Sequence, residues 1–287
     1  MRDKDTFFQT KRTLNIGGQI VDLAQPKVMG ILNLTPDSFY QGSRMQSDKD
    51  LLAVAEKMLI DGADFLDLGA YSTRPGAEDI SADEEANRLL PAIRSLKREF
   101  PKAILSIDTF RASIAEKAVN EGAHIINDIS GGMLDDKMFE TIGRLNVPYI
   151  LMHSKGNPKT MTTLNQYENM AQEILFHLSA QVNELKSFGV KDIIIDPGFG
   201  FAKNIDQNYQ LLNQMERFKI LGFPVLAGLS RKSMIWKTLK ISADDALNGT
   251  TVLNTVALQN GANILRVHDV KEAKECIAIF NKLRENL

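Results

Sequence analysis

Eight short apolar runs, each with polar residues at or just beyond its C-terminal end, constrain this chain more than any other feature. They lie at 27–33, 64–69, 103–108, 124–129, 147–153, 191–196, 224–229 and 262–267. Each is too short for an ordinary helix and built on a core of apolar residues, the pattern of a strand buried on both faces. Between them run longer segments with helical spacing, such as Leu51, Leu52, Val54, Ala55, Met58 and Leu59. Pro and Gly are read as falling between elements rather than inside them. Eight strand–helix units in 287 residues predict an α/β protein built as a (β/α)8 barrel. The rival, an open doubly wound sheet, would usually carry a G-x-G-x-x-G turn after its first strand. Gly30-Ile-Leu-Asn-Leu-Thr35 does not match that turn.

The first 25 residues stand apart. Phe7 to Leu14 and Gln19 to Leu23 flank Asn15-Ile-Gly-Gly18, which predicts an N-terminal β-hairpin over 1–25, placed to plug the lower end of one barrel domain over 26–287. Nothing else in the chain marks a second domain. A net charge of -2 gives no electrostatic footprint for nucleic acid. No apolar run approaches the ~20 residues of a membrane span, and Met1-Arg-Asp-Lys-Asp5 lacks the apolar core of a signal peptide. The single cysteine, Cys276, excludes an internal disulfide and reads as a packed thiol in a reducing cytosol. The expectation is a soluble cytoplasmic globule that acts on small molecules.

In a barrel the C-terminal strand ends converge on one mouth, so polar residues there become neighbours at any sequence separation. In order they are Asn33, Ser72-Thr-Arg-Pro75, Asp108, Asn127-Asp128, His153, Asp196-Pro-Gly-Phe-Gly-Phe201, Ser230-Arg-Lys-Ser233 and Arg266-Val-His268. Arg74, Arg266 and His268 suit phosphate oxygens. Asn33 is an oxygen donor of the kind Mg²⁺ accepts beside a polyphosphate. Asp108, Asn127, Asp196 and Lys232 suit a flat heterocycle with several N–H and C=O edges. A phosphate end beside a heterocycle end implies a phosphorylated heterocyclic substrate. Plainer readings stand beside these. Asp37 and Ser38 fit a turn as well as a site, and Asp108 could cap the next helix. Asp128 is read as a loop brace, and His124 and His177 as structural. Arg111 and Arg231 fit acidic neighbours as well as ligand, and His153 is left open.

With these residues assembled, the chain closely resembles the dihydropteroate synthases, a family of folate-pathway enzymes. The motifs that carry the resemblance are Asn33-Leu-Thr-Pro-Asp-Ser-Phe39, Ser72-Thr-Arg-Pro-Gly76, Ser106-Ile-Asp-Thr109, Ile126-Asn-Asp-Ile-Ser-Gly131, Leu151-Met-His153, Asp196-Pro-Gly-Phe-Gly-Phe201, Ser230-Arg-Lys-Ser233 and Leu265-Arg-Val-His-Asp269. They follow the family's order from first strand to last. The resemblance implies condensation of 6-hydroxymethyl-7,8-dihydropterin diphosphate with p-aminobenzoate, a requirement for Mg²⁺, and a homodimer. It implies pterin contacts from Asp108, Asn127, Met152, Asp196, Phe201, Gly228 and Lys232. Asn33, Arg74, Arg266 and His268 would hold the diphosphate, with Asn33 also on the metal. Phe39, Thr73, Pro75 and Ser233 would hold p-aminobenzoate, and Asp196, Lys232 and Arg74 would form the catalytic set.

The chain departs from the family pattern at Tyr71, where an acidic residue is common, at Tyr40-Gln-Gly-Ser43, and at Ala202, where glycine is common. Two rivals remain: a pterin-binding methyltransferase acting on a corrinoid protein, and an inactive pterin-binding scaffold. The first has no need of a diphosphate site, and the second should have lost site residues.

Overall fold

The computed structural model describes residues 11–34, 44–71, 79–156 and 164–286. Eight parallel strands follow one another around the sheet: β3 (Lys27–Asn33), β4 (Phe65–Gly69), β5 (Leu105–Asp108), β6 (Ile125–Asp128), β7 (Tyr149–Met152), β8 (Ile193–Asp196), β9 (Leu226–Ala227) and β10 (Ile264–Val267). β10 pairs in parallel with both β9 and β3, and a parallel bridge from Ile195 to Val225 closes the ring between β8 and β9. The barrel expected from the sequence is present. One strand is shorter than the run 224–229 suggested, because only Leu226 and Ala227 keep full ladder pairing before the chain turns into the Gly228 loop.

Helices α1 (Arg44–Ile60), α2 (Ala82–Glu99), α3 (Ala112–Asn120), α4 (Met138–Leu145), α5 (Met170–Ser187) and α6 (Ile205–Asn213) follow β3 to β8 in turn. Two more, α7 (Ser233–Leu239) and α8 (Leu247–Gln259), follow β9, and α9 (Val270–Arg284) follows β10. Local signals set several starts. Ser81 caps α2 by accepting from the Glu84 N–H, and Asn204 with Gln207 forms a capping box on α6. None of the described helices is long and apolar enough to cross a membrane.

The expectation that Pro and Gly avoid element interiors fails at Gly30, inside β3, and at three positions inside helices. Pro91 lies inside α2, a long helix whose buried face (Leu89, Ala92, Ile93 and Leu96) holds it against the barrel despite the missing N–H. Gly143 and Gly249 lie inside α4 and α8, where neighbouring elements leave no room for a side chain. A Cβ at Gly143 would stand 2.3 Å from the Phe188 carbonyl oxygen, and one at Gly249 would stand 2.3 Å from Ile235.

Side chains alternate along each strand, and the period of two divides labour inside the barrel. Val28, Leu66, Leu68, Ile126, Ile193, Ile195, Leu265 and Val267 point outward into the layer between sheet and helices. Met29, Phe65, Ile125, Ile150, Ile194, Leu226 and Ile264 point inward at the lower end, where they meet Leu14, Ile16 and Leu23. Those three come from the N-terminal hairpin, β1 (Thr13–Ile16) and β2 (Gln19–Asp22), joined by Gly17-Gly18 with both φ values positive. Lys11 ties the hairpin to the barrel through Asp192 at 2.6 Å. The lower end is a sealed apolar plug, so chemistry is confined to the upper end.

Candidate active site

Two residues above four of the apolar inward positions, the same strand face turns polar. Phe65 is followed by Asp67, Ile125 by Asn127, Ile194 by Asp196 and Ile264 by Arg266. Strand register then places Asn33, Gly69, Asp108 and Asn127 side by side across β3 to β6, and Met152 beside Asp196 across β7 and β8. Gly69 keeps this row open, since a Cβ there would lie 3.3 Å from that of Asp108.

Arg266 is the hub. Its Nε donates to Asp67 at 2.6 Å and its Nη2 to Asp108 at 2.8 Å. Asn127 donates from Nδ2 to the same Asp67 oxygen at 3.0 Å. Burial pushes the Asp108 carboxyl up to about 7, against the pull of Arg266 and with the Asp67 charge adding to the rise. Although burial works against its charge, the surrounding carboxylates hold Arg266 above its ordinary range. Arg266 therefore belongs to the carboxylate cluster in the barrel, engaged there through Nε and Nη2.

Across the mouth, Asp196 is buried and accepts the Gly198 N–H at 2.8 Å. Burial raises its carboxyl above the ordinary value, opposed first by the Lys232 charge. Lys232 donates to the Phe199 carbonyl and lies 5.0 Å from the centre of the Phe201 ring. Burial lowers Lys232 to about 8, and Asp196 opposes the fall. Gly228 leaves open space between the two cations, its missing Cβ 3.9 Å from Lys232 Nζ and 4.0 Å from Arg266 Cβ. His268 meets the Ser230 hydroxyl through Nδ1 at 3.0 Å. Ser233 opens α7 directly after Lys232. Asp67, Asp108 and Asp196 thus face Arg266 and Lys232 at one end of the barrel, a set of acceptors and donors that suits an N–H-rich ring.

The structure brings together Asp108, Asn127, Met152, Asp196, Phe201, Gly228, Lys232 and Arg266. Asn33 stands on the same rim, and His268 and Ser233 lie on the adjoining loops. Phe39, Thr73, Arg74 and Pro75 lie outside the described residues, as do Asp37, Ser38 and the departures at 40–43. The plainer readings resolve as well. Asp108 caps no helix, since Arg111 precedes α3. Asp128 braces its loop through the N–H groups of Ser130 and Gly132 and the Tyr149 hydroxyl. His124 accepts the Leu105 N–H at the barrel's lower end. Arg111 pairs with buried Glu85, and Arg231 with Asp269. Cys276 is a buried thiol.

Sequence reasoning missed Asp67, whose signal was a lone carboxylate inside the apolar run Phe65-Leu-Asp-Leu-Gly69. It also missed Lys203, two residues beyond Phe201 of the glycine-rich loop. Among the described residues no cluster of three His, Cys, Asp or Glu could cage a metal ion. Mg²⁺ keeps most of its waters and needs few protein ligands. Asn33, an amide on the rim with no side-chain hydrogen bond among the described residues, fits such a minimal site.

Comparison with known proteins agrees with this geometry. The pterin binding enzyme family matches residues 29–268. The chain belongs to this family of pterin-binding enzymes. It is 39% identical over 269 residues to the dihydropteroate synthase of Haemophilus influenzae, covering 93% of this chain and 97% of that one. The dihydropteroate synthase of Xanthomonas albilineans, solved with 4-aminobenzoic acid, superposes with a TM-score of 0.89 at 34% identity, covering 96% of this chain and 99% of that one. That of Clostridium difficile, solved in the presence of pteroic acid, superposes at 0.86 and 35% identity, covering 91% and 97%. Within the pterin-binding family, the similarity runs to dihydropteroate synthases along nearly the whole chain.

Proposed function

We infer that the chain is a dihydropteroate synthase, joining 6-hydroxymethyl-7,8-dihydropterin diphosphate to p-aminobenzoate to give 7,8-dihydropteroate and pyrophosphate. The observation that carries this reading is the polar cluster at the upper strand ends, where Arg266 bonds Asp67 and Asp108, Asn127 bonds Asp67, and Asp196 and Lys232 interact. Asp108, Asn127 and Asp196 accept from or donate to the pterin edges, Lys232 donates to a ring acceptor, and Met152, Phe201 and Gly228 pack its faces.

The C–O bond to the diphosphate breaks first, with the electron pair leaving on pyrophosphate. Positive charge then spreads into the pterin, and the buried Asp196 carboxylate offsets it as it grows. The p-aminobenzoate nitrogen forms the new C–N bond and releases a proton. No protein nucleophile is required. Arg74 and His268 bind the departing diphosphate on this reading, while Phe39, Thr73, Pro75 and Ser233 receive p-aminobenzoate. Bound Mg²⁺ would neutralise diphosphate charge as it leaves, and Asn33 is the residue that would hold it.

The same reading extends to a cytoplasmic homodimer. Val252 on α8 and Ile279 and Leu283 on α9 leave apolar surface exposed, which is compatible with a second copy packing there. Turnover tests the function: pyrophosphate release from the dihydropterin diphosphate with Mg²⁺, with and without p-aminobenzoate. Stoichiometric dihydropteroate is expected, with loss of turnover on chelation of the metal. Tight pterin binding without any product would instead identify a binding protein.

A further inference from the structure

Beneath the loop that carries Asp196 lies a second set of buried ionisable groups that the reaction above does not use. Lys203 is buried, and its Nζ turns back to donate to the carbonyls of Gly198 at 2.8 Å and Phe201 at 2.9 Å. The same Nζ meets His153 Nδ1 at 3.2 Å. Burial lowers His153 to about 2, so its imidazole is neutral and Nδ1 accepts from the ammonium. Among the described residues no carboxylate lies within ion-pair distance of Lys203. Burial lowers the Lys203 amine to about 7, the Asp196 charge opposes the fall, and backbone carbonyls bond the amine directly.

The loop at 197–202 has no regular structure, and side chains dictate its course. Gly198, Gly200 and Ala202 all have positive φ. The Phe199 carbonyl accepts from Lys232, the Ala202 carbonyl from the Tyr167 hydroxyl at 3.0 Å, and the Gly200 N–H donates to Asn208 at 2.6 Å. Gly198 is packed so tightly on His153 that a Cβ would lie 1.9 Å from the His153 carbonyl oxygen. Lys203 bonds both ends of this turn, and the turn begins at Asp196.

We propose that Lys203, buttressed by His153, is a positioning residue for the pterin-transfer reaction. It folds the 197–202 loop around its ammonium and thereby fixes Asp196 and the Phe199 carbonyl that orients Lys232. This rests on the function proposed above. A merely structural lysine would change how much protein is folded; a positioning lysine changes the pterin half-reaction selectively.

The test uses the full chain carrying Lys203→Met, which keeps the stem and removes the charge. Thermal melts check that it folds, steady-state kinetics vary each substrate in turn, and titration measures dihydropterin diphosphate binding. Expected is a fall of about 100-fold in kcat/KM for the dihydropterin diphosphate, because displacements near 1 Å cost that much. The KM for p-aminobenzoate should stay within about twofold, since no p-aminobenzoate contact is altered. A folded variant with an unchanged pterin kcat/KM would overturn the proposal. So would parallel losses for both substrates that track the fraction folded. If Lys203→Met does not fold, His153→Leu decides: a loss of about 10-fold confined to the pterin side supports positioning, and none refutes it. If the wild-type chain binds pterin but turns nothing over, the proposed function fails. The pterin affinity of the two variants then judges Lys203 on its own.

Discussion

Removing the Arg266 guanidinium tests the electrostatic core of the site. Arg266 bonds both Asp67, which is fully buried, and Asp108, while Asp67 Oδ1 has no partner among the described residues. Arg266→Met keeps the apolar stem and leaves two close carboxylates without their shared cation. Stripping one partner from a buried ion pair costs about 3–5 kcal/mol. The Arg266 side chain keeps 20% of its surface exposed, so solvent screening argues for the lower end, about 3 kcal/mol. For a chain of this size that corresponds to a drop in Tm of roughly 6–12 °C. The pH dependence gives a sharper signature. Without the guanidinium that opposes it, burial holds the Asp108 carboxyl well above its unfolded value, so the folded variant keeps a proton that the unfolded chain has released. Its stability therefore falls as pH rises, and the deficit against wild type is larger at pH 8 than at pH 5.5, both chosen as roughly bracketing the shifted Asp108. Thermal melts monitored by circular dichroism at both pH values read this directly. Adding Asp67→Asn should recover part of the loss at the higher pH. A Tm change under about 2 °C, or an equal change at both pH values, would show that the cluster is not held by this cation.

Four further outcomes follow from individual residues. Asp196→Asn should cut turnover by about 10²–10³-fold, the cost typical of losing one preorganised electrostatic group, while melting no lower than wild type. Near-normal turnover would remove Asp196 from the chemistry. Ala202 adopts φ 49°, so Ala202→Gly should stabilise the chain by about 1 kcal/mol, read as a higher Tm. By contrast, Gly198→Ala forces a Cβ onto the His153 carbonyl, and a Tm at or above wild type would contradict the packing described for this loop. His124 is lowered to about 4, chiefly by burial, so the unfolded chain binds more protons between its ordinary value and that one. Stability should be full above that window and fall on acidification through it. His124→Asn keeps an acceptor for the Leu105 N–H without titrating, and denaturant titrations at several pH values should show a flatter acid slope.

The barrel was legible because each of its strands is a short apolar run and a period-two pattern cannot hide a strand buried on both faces. The mouth was legible for a related reason. Asn33, Asp108, Asn127, Asp196 and Arg266 each break an apolar run near its end, and a closed ring forces strand ends together. Spacing could not say which partners they would choose. Arg266 looked like a phosphate ligand by residue type, yet register places it against Asp67 and Asp108, and only the folded sheet reveals that geometry. Pro91, Gly143 and Gly249 were misjudged because tertiary packing overrides helix propensity where a helix face is well buried or a neighbour comes close.

Asp67 and Lys203 show where the reading of strand ends was too narrow. Asp67 lies in mid-strand, two residues above Phe65, and the same alternation that turns Phe65 toward the plug turns Asp67 toward the cavity. The rule that found the strands therefore also contained this residue, had it been applied to the inward face and not to the last position alone. Lys203 obeys no such rule. Its ammonium is buried only because the loop at 197–202 curls back over it, and the curl depends on backbone carbonyls that every sequence possesses. Stability and chemistry consequently meet at different heights of one barrel. The lower end is closed by hairpin and apolar side chains, leaving the upper end free to carry closely spaced charges. Those charges are tolerated because each is bonded to another charge or to a loop that the neighbouring strands hold in place.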